Sequence, residues 1–90
     1  MPAPTRPVIA QQVTHNLSVI SGFPEPRIME NQKLADLGLT QDLRGALAPG
    51  FKRIAQAFKP DAIITKTECK KLKTVKACVT LVFTRAGGTE

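Results

Sequence analysis

The chain contains no tryptophan and no tyrosine, and only four phenylalanines. A platform of aromatic side chains for stacking single-stranded bases is therefore not expected. A single histidine, His15, and two cysteines, Cys69 and Cys78, give no metal-ligand spacing. The cysteines could pair in principle, but buried free thiols are the expected state in a cytosolic helical domain. Serine occurs only as Ser18 and Ser21, both in the first apolar-periodic segment. There is no phosphate-cradling glycine loop, no cysteine–histidine couple and no carboxylate pair with an evident role, so no enzyme constellation emerges. No apolar run approaches the ~18 residues of a membrane span. No charged-then-apolar leader is present either, which makes a cytoplasmic protein the expectation.

What the chain does have is charge. Its 90 residues, 42% of them hydrophobic, suit one small globular domain, and its formal net charge is +6. Residues 1–42 carry Arg6, Arg27 and Lys33 against Glu25, Glu30, Asp36 and Asp42. Residues 43–85 carry ten basic side chains against Asp61 and Glu68 alone. Such asymmetry points to an anionic partner, the alternative being a basic surface that is merely solvated.

Met1–Arg6 is proline-rich and is expected to be a disordered arm, and residues 86–90 a disordered tail around a single helical domain, 7–85. Pro7 suits a first helical position. Ile9, Val13, Leu17 and Ile20 then recur on one helical stripe, with His15 off it and Gly22 as the C-terminal cap. Phe23–Lys33 is a long connection whose Pro24 and Pro26 discourage helix, and Phe23, Ile28 and Met29 are its expected tethers to the core. Leu43, Leu47, Phe51, Ile54 and Phe58 form one face of a second helix beginning near Gln41. Pro49-Gly50 should kink that helix or split it in two, because proline removes the hydrogen bond to residue 45. Thr65-Lys66-Thr67-Glu68 is a capping box that starts a short helix running to about Leu72.

The last segment reads two ways. Capped by Thr74, a helix would bury Val75, Val79, Val82 and Phe83. Strict alternation of Val75, Ala77, Val79, Leu81 and Phe83 equally describes a strand, which with Ala62–Lys66 would give an α+β fold with a C-terminal hairpin over residues 62–85.

The chain is organised around Leu34–Leu43, L-A-D-L-G-L-T-Q-D-L. Leu34, Leu37 and Leu39 are apolar anchors, Gly38 suits a positive φ, Thr40 caps a helix and Asp42 favours the positive end of its dipole. This stretch resembles the loop before the second helix of acyl carrier proteins. Downstream, Ile64, Glu68, Leu72, Thr74, Val75, Ala77 and Val79 fall where that family keeps I-x₃-E-x₃-h-x-T-V-x-A-x-h. The resemblance spans about Val8–Val82 and implies an all-α, small four-helix bundle with the C-terminal segment helical. The kink expected at Pro49-Gly50 comes from the proline and departs from the family, whose second helix normally has no break. The decisive departure is elsewhere. Gln41 stands where the family has the serine that carries phosphopantetheine, and an amide supplies no hydroxyl nucleophile, so no cofactor is expected.

Two functions follow. The first is a non-catalytic, acyl carrier protein-like module without a pantetheine arm, acting through protein–protein contact. Family carriers are acidic along their second helix, whereas here Arg44, Lys52, Arg53 and Lys59, with Lys66, Lys70, Lys71 and Lys73 near the short third helix, make a basic face. The partner implied is an acidic protein surface. The second is a small basic nucleic-acid-binding protein using the Lys66, Lys70, Lys71, Lys73 and Lys76 run; an anionic lipid surface is a further possible partner.

Overall fold

The computed structural model describes residues 4–88, so residues 1–3 of the expected arm and 89–90 of the expected tail lie outside the described residues, while Arg6 already belongs to the first helix. Thr5 leads into α1 (Arg6–Ser21), with Pro7 at its second position, and Ile9, Val13 and Leu17 are fully buried. Gly22 ends α1 at φ 81°, returning its N–H to the Ser18 carbonyl at 2.9 Å. That left-handed turn costs glycine nothing.

The connection after α1 contains two 3₁₀ turns, Glu25–Arg27 and Leu34–Leu37. Of its three expected tethers only Ile28 is buried, whereas Phe23 is exposed and Met29 is 60% exposed. Backbone hydrogen bonds hold the connection instead. Leu34 N–H donates to Lys73 O at 2.8 Å, Val75 N–H to Gln32 O at 3.0 Å and Lys76 N–H to Glu30 O at 2.9 Å. Lys33 and Thr74 thereby form a single antiparallel bridge. This rung also satisfies the start of α5 (Val75–Arg85), whose first amides have no partner within the helix. The loop carbonyls take Val75 and Lys76, and Thr74 Oγ1 accepts from Ala77 N–H at 3.1 Å.

The second helix is split. α2 (Gln41–Gly45) starts at Thr40, whose hydroxyl accepts from Leu43 N–H at 3.5 Å, and α3 (Ala48–Gln56) follows with Pro49 in its first turn. Because Pro49 has no N–H, the Gly45 carbonyl loses its partner. The ladder tightens instead, with Leu47 N–H bonding to Arg44 O, and resumes with Phe51 N–H on Leu47 O. The break ends the common face: Leu47, Phe51 and Ala55 are buried, Ile54 and Phe58 are half-buried, and Leu43 is exposed. On α2 the buried residue is Gly45, over which the stem of Lys70 lies.

The capping box forms as read: Thr65 Oγ1 accepts from Glu68 N–H at 3.2 Å, and the Glu68 carboxylate accepts from Thr65 N–H at 3.3 Å. It starts α4 (Lys66–Lys70), which ends two residues short of Leu72. α5 buries Val75, Cys78, Val79, Val82 and Phe83 and is a helix, so the hairpin reading is set aside. Among the described residues there is no strand. Ala86, placed by the sequence in the tail, is buried, and Gly87 (φ 92°) and Gly88 return their N–H groups to Thr84 and Phe83 carbonyls. That is the paired closure of a Schellman turn.

The fold is a small all-α bundle. α1 lies against α5 and α3, α3 against α5, and α2 against α4. Its core joins Leu34, Leu37 and Leu39 to the inner stripes of α1, α3 and α5. No helix among the described residues is long and apolar enough to cross a membrane.

Gly50 sets how closely α1 and α3 approach, since an added Cβ would lie 2.7 Å from Asn16 Cγ. Gly50→Ala adds about 1 kcal/mol of helix propensity but must displace that amide. We expect it to destabilise the native chain, yet to stabilise an Asn16→Ala background by about 0.5–1 kcal/mol. A double-mutant cycle by urea denaturation measures the difference; equal effects in both backgrounds would remove Asn16 as the obstacle.

Candidate interaction surface

Thr40 and the two serines are committed to structure. Thr40 caps α2, while Ser18 Oγ donates to Phe23 O and Ser21 Oγ accepts from Phe23 N–H at the end of α1. Gln41 and Asp42 occupy the exposed first turn of α2. Both thiols are free and fully buried. Burial pushes Cys69 up to about 11 and Cys78 up to about 12, so both stay protonated at neutral pH. His15 remains exposed but gains an acidic partner unseen in the sequence, Glu25, at 3.1 Å. Among the described residues no three histidine, cysteine, aspartate or glutamate side chains come together so as to hold a metal ion.

The basic residues divide by chemistry. Three arginines are built into the fold. Arg6 reaches Thr80 Oγ1 at 3.1 Å and Glu30 at 3.5 Å, and Arg44 Nε donates to Leu39 O at 3.0 Å. Arg85 forks onto both oxygens of Glu68 and donates to Ile63 O at 3.0 Å. None of the eight lysines makes a hydrogen bond or ion pair through its ammonium among the described residues. All of them are exposed except Lys70, whose stem is half-buried. A planar guanidinium gives up less freedom per hydrogen bond than a flexible, strongly hydrated ammonium, which favours arginine at the built-in positions, although Arg27 and Arg53 are exposed like the lysines.

This alters the basic set read from the sequence. Arg44 is half-buried and occupied by Leu39, beside the α2–α4 contact where Lys70 crosses Gly45. Arg53 faces the opposite way, into an open groove of about 700 Å³ between α1 and α3 that it shares with His15, Asn16 and Glu25. Lys52 and Lys59 are exposed along and just beyond α3, and Lys66, Lys71 and Lys73 along α4 and the turn into α5. The sequence missed Lys33. The Lys33–Thr74 bridge sets it beside Lys73 and Lys76, and a contact across forty residues leaves no local signal. No protein-family model matches this chain, and no curated protein or solved structure shows significant similarity to it.

Proposed function

We propose that this chain is a non-catalytic, acyl carrier protein-like module without a pantetheine arm, which works by binding an acidic protein surface. The observation that carries the reading is that, among the described residues, none of the eight lysines has a partner for its ammonium, while three of the five arginines are drawn into the fold. Unpaired ammonium groups attract an anionic partner at long range without first breaking an internal bond. The order of one long helix, a long anchored loop, a short helix and a last helix supports the resemblance, while the division of the second helix departs from it. Gln41 on the first turn of α2 supports the absence of a pantetheine arm.

Two measurements test the proposal. Incubated with coenzyme A and a phosphopantetheinyl transferase, the protein should keep its sequence mass; a gain mapped to Thr40 or any other residue refutes the armless reading. At matched ionic strength it should bind an acidic protein more tightly than duplex DNA, with association slowing steeply as salt rises. Preference for DNA would make this a nucleic-acid-binding protein, and binding that ignored salt would leave the lysines as solvated surface.

A further inference from the structure

Met29 was expected to plug into the core, yet it stands exposed on a closed turn. Its N–H donates to Gln32 Oε1 at 2.8 Å, and Gln32 N–H donates back to Met29 O at 3.1 Å. The turn runs directly into the rung with α5, where Glu30 O takes Lys76 N–H, Gln32 O takes Val75 N–H, and Lys33 bridges Thr74. An exposed methionine thus has its backbone fixed by Gln32 at a corner that also carries the exposed Lys33, Lys73 and Lys76. Glu30, within the same turn, has its charge engaged by Arg6.

We propose that this corner is the docking point for an acidic peptide segment carrying one apolar side chain, which packs on Met29 while its carboxylates face the three lysines. The argument rests on charge complementarity around an apolar centre, the arrangement in which a desolvated contact fixes position and surrounding charges speed encounter. Methionine suits the centre because its unbranched, polarizable chain adapts to differently shaped partners. Lysines without bidentate geometry suit a flexible acidic segment better than one rigid carboxylate. The inference rests on the protein-binding reading above, and it moves the contact from the α2–α4 side to the loop–α5 corner.

The probe is a short fluorescein-labelled peptide of glutamates with one central leucine, compared by anisotropy at low salt with the same peptide bearing alanine. The native chain should prefer the leucine peptide, and Met29→Ala should abolish that preference while leaving alanine-peptide binding unchanged. Because Met29 contributes only backbone atoms to the turn, the variant keeps its fold. Combining Lys33→Gln, Lys73→Gln and Lys76→Gln should weaken both peptides by about tenfold or more, whereas Lys52→Gln with Lys59→Gln should change little. If loss follows the Lys52 and Lys59 changes instead, the corner is wrong and the protein-binding reading stands. If the native chain binds neither peptide, both fall. Tighter binding to phosphatidylserine vesicles, or to single-stranded polythymidylate, would assign the corner to lipid or nucleic acid and overturn the proposal.

Discussion

Replacing Phe51 with alanine should remove about 3–5 kcal/mol of stability. Phe51 is fully buried on α3, the helix that lies against both α1 and α5. Deleting its ring forfeits the transfer of a large apolar surface from water and leaves a cavity that three packed helices can only partly close. Small domains have only about 5–15 kcal/mol in total, so the variant should sit near its unfolding threshold. Urea titration should place its midpoint about 1–5 M below the native one, with m of about 1–3 kcal/mol/M. On the next residue, exposed Lys52→Ala should cost under about 0.5 kcal/mol. A lysine variant as damaged as the phenylalanine one would mean that the faces of α3 are reversed.

Glu68 should make the domain acid-sensitive. The Arg85 guanidinium, helped by the Thr65 N–H and hydroxyl, holds its carboxyl down at about 2 against an ordinary 4.5. A depressed folded-state value means the unfolded chain takes up the proton first. The stabilisation is therefore complete above about pH 4.5 and lost as pH falls toward 2. The two side chains are 31% and 37% exposed, so solvent screening reduces the effect to about 1–2 kcal/mol. Other carboxylates titrate nearby, and the informative quantity is the difference between native chain and Glu68→Gln. That difference should be about 1–2 kcal/mol at neutral pH and shrink between pH 4.5 and 2. Arg85→Met should behave alike, since it removes the same fork. A gap that stayed constant down to pH 2 would show that the contribution of Glu68 does not depend on its ionised carboxylate.

Legibility in the sequence follows range. Leu34, Leu37 and Leu39 are buried, Gly38 has φ 75°, Thr40 and Thr74 cap, and Thr65 and Glu68 form their box. Each of these depends on residues within about one turn, where side-chain chemistry constrains the backbone directly. The helix–strand ambiguity of α5 was real at that range, because β-branched residues satisfy both periods. Tertiary packing decides it by burying Val75, Cys78, Val79 and Val82, a spacing of three and four. Leu43 was misplaced because its face was extrapolated through Pro49. Met29 was misplaced because apolar character alone does not say which residue of a loop turns inward. The basic set was legible as residue type but not as arrangement: nothing near Arg53 in sequence says that it faces α1, or near Lys33 that it meets Lys73.

The rung between residues 30–34 and α5 also orders the events of folding. It ties together parts of the chain some forty residues apart, and the entropy lost in closing that span must be met before its hydrogen bonds are gained. α5 has eleven residues, too few to be a stable helix alone in water, and its first two amides find acceptors only in the arriving loop. The C-terminal helix is thus conditional on the middle of the chain. During synthesis that middle emerges first, so the acceptors for the last helix are already outside the ribosome when its sequence appears.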